Sequence, residues 1–261
     1  MNQSLWQPDD VSIQNSTLSQ FLSKSLPKKK FASYADLHQW SIDNREYFWQ
    51  SVWEYFDIKY SKNWQTILDE PNGIFMPKWF KGSQLNFSEN LLRYRDEKIA
   101  IEFHNESGQQ QRLSYKSLFK KVAILADAFK RNGLQKGDRV AAVLPNIPET
   151  VIAMLACTSI GAIWSSSSPD FGTASLVDRF GQIKPKILLY CYAYYYKGKC
   201  YDCIDKIDAL VKQIPFEQTI AIAYGRLPEL AQETPENSKK PPFGIGYQDY
   251  IHNSLSTEDI D

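Results

Sequence analysis

From residue 98 to residue 223, short apolar runs alternate with segments of helical periodicity, and this alternation constrains the fold more than any other feature of the chain. Residues 98–103 and 111–113 read as two strands joined by a Glu106-Ser107-Gly108 turn, a hairpin. Ser114 then caps a helix whose apolar face is Leu118, Val122, Leu125 and Phe129, at three- and four-residue spacing, and Gly133 ends it. Residues 138–144 are almost continuously apolar, as in a strand buried on both faces. Pro148 suits the first position of a helix running to Ile160, and Gly161 stops it. Residues 162–166, 187–190 and 219–223 read as further strands, and 173–183 and 201–213 as helices between them. Strand–helix alternation of this kind predicts an α/β fold, a parallel sheet flanked by helices and joined by right-handed crossovers. Ligands of such sheets bind beyond the carboxyl ends of the strands. The loops to inspect are therefore 145–149, 165–173 and 191–199.

The remainder is less regular. Residues 1–30 are polar and read as an irregular arm, with Trp6, Phe21 and Leu22 available to dock. Residues 34–57 read as helix, started by Ser33 with Asp36 three residues on. Leu37, Trp40, Phe48, Val52 and Phe56 form its stripe, and it breaks near Asp43-Asn44. Pro71, Gly73, Pro77 and Gly82 mark 71–90 as a loop with turns, before a short helix at Ser88–Leu92. Residues 225–243, rich in Pro, Glu and Lys, read as a surface excursion, and 247–255 as a short helix. The expected division is 1–97, an arm and helical extension, and 98–261, the α/β unit.

Thirty Lys and Arg residues balance thirty Asp and Glu residues. A nucleic-acid partner normally demands a basic excess or stripe, so none is expected. Lys28-Lys29-Lys30 reads as a solvated linker rather than a phosphate site. Cys200-Tyr-Asp-Cys203 has C-x-x-C spacing, but a zinc site needs a second pair or two suitably spaced histidines, and His38, His104 and His252 are scattered. A redox pair requires the motif to open a helix after a strand. Reduced thiols in a cytoplasmic protein are the plainer reading of Cys157, Cys191, Cys200 and Cys203. The N-terminus lacks the features of a signal peptide. The most apolar stretch, 151–164, is too short to span a bilayer, so no membrane association is expected.

Standard phosphate-loop, dinucleotide and nucleophile-elbow motifs are absent, and Gly244-Ile-Gly246 lacks a third glycine. Two loops carry chemistry. Ser165-Ser-Ser-Ser168-Pro169-Asp170-Phe171-Gly172-Thr173 follows a strand and opens a helix, whose first amides can hold an anion; the alternative is a plain turn capped by Asp170 or Thr173. Tyr194-Tyr-Tyr196-Lys197-Gly198-Lys199 places two lysines and a stacking surface beside a strand end, which suits a phosphate-bearing nucleotide; the alternative is an exposed turn.

Several blocks occur in order: Leu85-Asn-Phe-Ser-Glu-Asn-Leu-Leu92, Gly137-Asp-Arg-Val140, Leu144-Pro-Asn-Ile-Pro-Glu149, Ser159-Ile-Gly-Ala-Ile-Trp-Ser-Ser166, Ser168-Pro-Asp-Phe-Gly172, and Asp178-Arg-Phe-Gly-Gln-Ile183 followed by Pro185-Lys186. This string resembles the acyl-CoA synthetases of the adenylate-forming superfamily, and within them the acetoacetyl-CoA synthetase family. The Trp-Ser-Ser-x-Ser-Pro-Asp-Phe-Gly block discriminates best. The resemblance implies the first subdomain of the adenylate-forming N-terminal domain. It also implies a ligase joining acetoacetate, ATP and CoA through an acyl-adenylate with magnesium, acting in lipid and ketone-body metabolism. By position, the family's basic-x-Gly-basic CoA segment falls on Tyr196, Lys197, Gly198 and Lys199, with Lys199 the best match and Tyr196 in place of the first basic residue. Pro169, Asp170, Phe171 and Arg179 line the same region in the family. Ser167 stands where the family usually has Cys. The family's Ser/Thr/Gly-rich phosphate loop, adenine motif, ribose Asp and catalytic Lys have no counterpart before Asp261. The resemblance thus implies no catalytic residue and no metal ligand here, no tightly bound ATP, CoA or magnesium, and activity only with a separately encoded remaining part. A stand-alone CoA- or nucleotide-binding domain is the alternative.

Overall fold

The computed structural model describes residues 5–71, 73, 75–224 and 244–252. The chain divides into two compact units, residues 1–85 and 86–261; the excursion at 225–243 lies outside the described residues.

In the first unit the arm expected to be irregular carries two helices, α1 (Asp10–Gln14) and α2 (Thr17–Ser25). Short helices are unstable on propensity alone, and capping with tertiary contact compensates. Asp9 accepts from the Ser12 amide at 2.7 Å, and Ser16 from the Ser19 amide at 3.2 Å. Phe21 is buried, its ring edge-on to Phe48 and Tyr55, whereas Trp6 is exposed. The expected helix of 34–57 is α3 (Tyr34–Asp43) and α4 (Arg45–Tyr55), capped by Ser33 as read and broken at Asn44, whose amide and side chain both donate to the Trp40 carbonyl. The loop expected over 71–90 gives way in part to an antiparallel hairpin, β1 (Thr66–Asp69) and β2 (Lys78–Lys81), with Leu68 opposite Trp79. Its strands are only four residues long and half exposed, so they show no alternation; Arg45 clamps its end through a bidentate pair to Glu70.

The second unit opens with α5 (Phe87–Leu91), the hairpin β3 (Ile99–His104) and β4 (Gln110–Ser114), and α6 (Tyr115–Arg131). Ser114 caps α6 by accepting from the Ser117 amide, and Leu118, Val122, Leu125 and Phe129 are all buried. Then follow β5 (Arg139–Val143), α7 (Pro148–Ser159), β6 (Ile163–Ser167), α8 (Thr173–Ile183), β7 (Ile187–Cys191), β8 (Ala193–Tyr196), β9 (Lys199–Asp202), α9 (Ile204–Val211), β10 (Gln218–Ile222), β11 (Ile245–Gly246) and α10 (Tyr247–Ile251). Five strands form a wholly parallel sheet in the order β11-β10-β7-β5-β6. Every residue of β7, at its centre, is fully buried. The path moves one way from β5 to β6 and returns across β5 to β7. Right-handed crossovers then put α7 on one face, against α6, and α8 with α9 on the other. One expected element changes type: the helix read over 201–213 begins only at Ile204, because 199–202 pairs with β8.

Several of the polar blocks do structural work away from the carboxyl ends of the strands. Asn86 caps α5 by accepting from the Glu89 amide and donates to the Ser159 carbonyl at 2.9 Å. Buried Ser88 donates to the Leu155 carbonyl at 2.7 Å and contacts the Thr158 hydroxyl. Together they tie α5 to the end of α7. Asn86→Ala removes a cap and leaves carbonyls short of a donor, and it is expected to lower stability by about 2 kcal/mol; urea denaturation checks this. At the amino end of the sheet, Arg139 donates to the carbonyls of Ile183, Lys184 and Gly137, closing the last turn of α8. Lys186 binds the Gly133 carbonyl at 2.8 Å and pairs with Asp138.

Candidate functional site

Because the strand order reverses at β5, the loops leaving β5 and β7 diverge to opposite faces and open a crevice at their carboxyl ends, the usual ligand position of such sheets. The loop after β5 is short and stiff. The Pro145 carbonyl accepts from the Ile147 amide at 2.9 Å and the Thr150 hydroxyl at 2.8 Å, and Pro148 starts α7.

After β6, Ser168–Phe171 makes a turn, the Phe171 amide donating to the Ser168 carbonyl. Neither Asp170 nor Thr173 caps the following helix, as the plain-turn alternative expected. The cap is Gly172, in extended conformation and without a side chain to accept. Arg179, in the middle of α8, lies over the Phe171 ring at 4.6 Å from its centroid. Lys206 of α9 donates to the Pro169 carbonyl, which fixes the loop from the opposite side.

After β7 the chain forms a hairpin rather than the loose loop expected. β8 and β9 pair antiparallel with Tyr196 opposite Lys199, leaving Lys197 and Gly198 as a two-residue turn with φ of 51° and 72°. Positive φ at both positions is the signature of a turn whose twist matches that of the strands, and Gly198 accommodates it without strain. Tyr194 and Tyr201 stack at 5.3 Å along the hairpin. Burial pushes the Tyr194 hydroxyl up, and the charges of Cys203 and Asp170 add to the shift. At the tip, Tyr196, Lys197, Gly198 and Lys199 are exposed. The Lys197 ammonium lies 5.3 Å from the Tyr196 ring centroid. The Lys197 and Gly198 amides donate to the two carboxylate oxygens of Glu106, at 2.9 and 3.0 Å.

The structure places Pro169, Asp170 and Phe171 just beyond the carboxyl end of β6 and Tyr196, Lys197, Gly198 and Lys199 in the hairpin that follows β7, while Arg179 lies within α8. It joins Phe171 to Arg179. The tip bonds to Glu106 instead of to the 169–171 loop. Glu106 and Lys206 were missed because their partners lie 91 and 37 residues away in sequence. The hairpin was missed as well, because β9 is a strand only through its pairing with β8.

The cysteines flank this region. Cys203 is the N-cap of α9, so the C-x-x-C pair joins the end of β9 to a helix start. Burial pushes the Cys157 thiol up to about 12. Hydrogen bonding with Cys203, together with burial, holds the Cys191 thiol protonated well above the ordinary range. Cys200 is half-buried and is also raised, by burial and by Asp202 and Cys203 beside it. Cys203 is lowered instead, by its hydrogen bond with Cys191, but it is fully buried. Thiolate is the reactive form, and a reagent must also reach it. A thiol reagent at neutral pH is therefore expected to modify Cys200 alone and slowly, faster as pH rises, whereas denaturant exposes all 4 cysteines; mass spectrometry of the labelled chain reads this directly.

A family model described as AMP-binding enzyme matches residues 87–259, well over half of the chain. The chain belongs to the AMP-binding enzyme family. A second model, described as acetyl-coenzyme A synthetase N-terminus, matches residues 34–91 of this AMP-binding enzyme. The chain is 38% identical over 255 residues to an acetoacetyl-CoA synthetase of Danio rerio, covering 95% of this chain and 37% of the relative. It is 36% identical over 246 residues to an acetoacetyl-coenzyme A synthetase of Rhizobium meliloti, covering 94% and 38%. The solved structure of acetoacetyl-CoA synthetase from Streptomyces lividans superposes with a TM-score of 0.85 at 31% identity, over 98% of this chain and 39% of that one. The chain therefore spans less than two-fifths of the length of the relatives it matches. Among the described residues of this AMP-binding family member, no helix is long and apolar enough to cross a membrane, and no group of three or more His, Cys, Asp or Glu is placed to hold a metal ion.

Proposed function

We propose that this chain is the front part of a cytoplasmic acetoacetate–CoA ligase and that it contacts the nucleotide end of CoA. The observation that carries the reading is the lysine-bearing hairpin Tyr196–Lys199 that follows β7, at the carboxyl end of the parallel sheet, in a chain whose relatives are acetoacetyl-CoA synthetases. In the proposed reaction, acetoacetate oxygen bonds to the α-phosphorus of ATP and pyrophosphate leaves. The CoA thiol then bonds to the acyl carbon and AMP leaves with the acyl–oxygen electron pair. Magnesium, when bound, would neutralise phosphate charge; among the described residues no group of His, Cys, Asp or Glu is placed to hold it. Residues 1–261 contribute binding. Lys197 and Lys199 act as point charges toward phosphate, Tyr196 as a flat surface for a base, and Pro169, Asp170, Phe171 and Arg179 as the adjoining wall. The ATP loop and catalytic lysine are supplied by the remaining part of the ligase, and these residues alone do not turn over.

The test is AMP release dependent on acetoacetate, ATP and CoA, measured on this chain alone and with the remaining part of a synthetase added. Activity only in the mixture supports the proposal. Activity from the chain alone overturns the assignment of the ATP machinery elsewhere. No activity in either case, with CoA still bound, favours a stand-alone CoA-binding domain.

A further inference from the structure

The tip of the β8–β9 hairpin is held in an unusual way for an exposed turn. Lys197 has φ of 51°, a left-handed conformation that side chains other than glycine adopt reluctantly. Its amide and that of Gly198 point the same way, and successive amides in such a turn form a concavity for an anion. Glu106 fills it, one carboxylate oxygen on each amide, through two charge-assisted bonds. Glu106 is itself positioned. The neighbouring Asn105 side chain accepts from the Ser107 amide and hydroxyl and the Gln109 amide, closing the β3–β4 turn, and donates to the Tyr224 hydroxyl at 3.1 Å. The Tyr224 ring packs edge-on to Tyr195, the residue before the exposed tip. The β3–β4 turn is therefore linked to the hairpin twice, directly through the Glu106 carboxylate and indirectly through Tyr224, which Asn105 holds and whose ring packs on Tyr195.

We infer that Glu106 is the positioning residue of this site: it occupies the tip's backbone amides and fixes the turn, leaving the Lys197 and Lys199 side chains to take the phosphate. This rests on the CoA reading given above. With a carboxylate on the amide face, a phosphate arriving there meets like charge. The lysines carry their charge on flexible stems away from the backbone, and a rigid turn lowers the ordering that binding must impose on them.

The experiment uses this chain, with Glu106→Ala, Glu106→Gln and Lys199→Ala, in NMR hydrogen exchange and calorimetric titration with CoA. Circular dichroism melts confirm that each variant is folded. Exchange of the Lys197 and Gly198 amides should accelerate about ten-fold in Glu106→Ala, while core amides keep their rates. CoA affinity should fall about five-fold, with Glu106→Gln, which retains one acceptor oxygen, in between. A purely structural residue would alter melting without this graded, local pattern. Unchanged or tighter CoA binding by Glu106→Ala, while Lys199→Ala weakens it, overturns the inference and leaves the CoA site standing, with Glu106 a competitor of the phosphate. Equal exchange rates in wild type and variant overturn it as well. No CoA binding by the wild type, or binding indifferent to Lys199→Ala, overturns the CoA reading and this role with it, and protected tip amides would then mark Glu106 as a fold contact only.

Discussion

Phe129→Ala is expected to remove about 4 kcal/mol of stability, enough to threaten folding of the second unit. Phe129 is fully buried on α6, and its ring meets Tyr250 of α10 edge-on at 6.0 Å. α6 packs against β3, β4 and α7, so a void at Phe129 lies among several elements that cannot all collapse into it. Thermal denaturation followed by circular dichroism should show a fall of roughly 8–16 °C in Tm. Ile99→Ala, at a half-exposed position on β3, should stay within about 1 kcal/mol of the wild type and serves as the control. A Tm change for Phe129→Ala as small as the control's would mean that the α6 face is not part of the cooperative core.

Lys199→Ala is expected to weaken CoA binding by this chain about ten-fold, the effect of losing one charge-assisted phosphate contact at a solvent-facing site. Lys199 begins β9 directly after the turn, opposite Tyr196, so its backbone is fixed by the ladder while its side chain is exposed. Lys197→Ala should cost less, because that ammonium is partly engaged over the Tyr196 ring. Both effects should shrink as ionic strength rises, since exposed charges are screened over about 8–10 Å at physiological salt. Calorimetric titration at two salt concentrations measures both. Affinity unaltered by either substitution would remove the hairpin from the proposed site.

The resemblance blocks divide by place and by role. Gly137-Asp-Arg-Val140 and Pro185-Lys186 sit at the amino end of the sheet. There Arg139 and Lys186 satisfy carbonyls at the end of α8 and of Gly133, just past α6. Asn86 and Ser88 likewise serve packing. Ser168-Pro-Asp-Phe-Gly172 lies at the ligand end. A motif match alone treats these blocks alike, and only their position on the strands separates the packing contacts from the loop proposed above for binding.

Local pattern and chain direction were enough to read the α/β alternation, the capped α6 with its four buried apolar residues, the break at Asn44 and the loops at the strand ends. These features depend on near neighbours in sequence, where periodicity, caps and glycine report the backbone directly. The family followed from ordered blocks over most of the chain. Four features needed the tertiary structure: the helices of the arm, the hairpin β1–β2, the strand identity of residues 199–202, and the partners of the loops. Phe21 is buried by rings 27 and 34 positions away, and Lys199–Asp202 is a strand because Ala193–Tyr196 lies beside it. The hairpin tip is gripped by a carboxylate from an earlier turn. Each depends on contacts between segments distant in sequence, whose free energy exists only once the chain has folded and which no local window of residues contains.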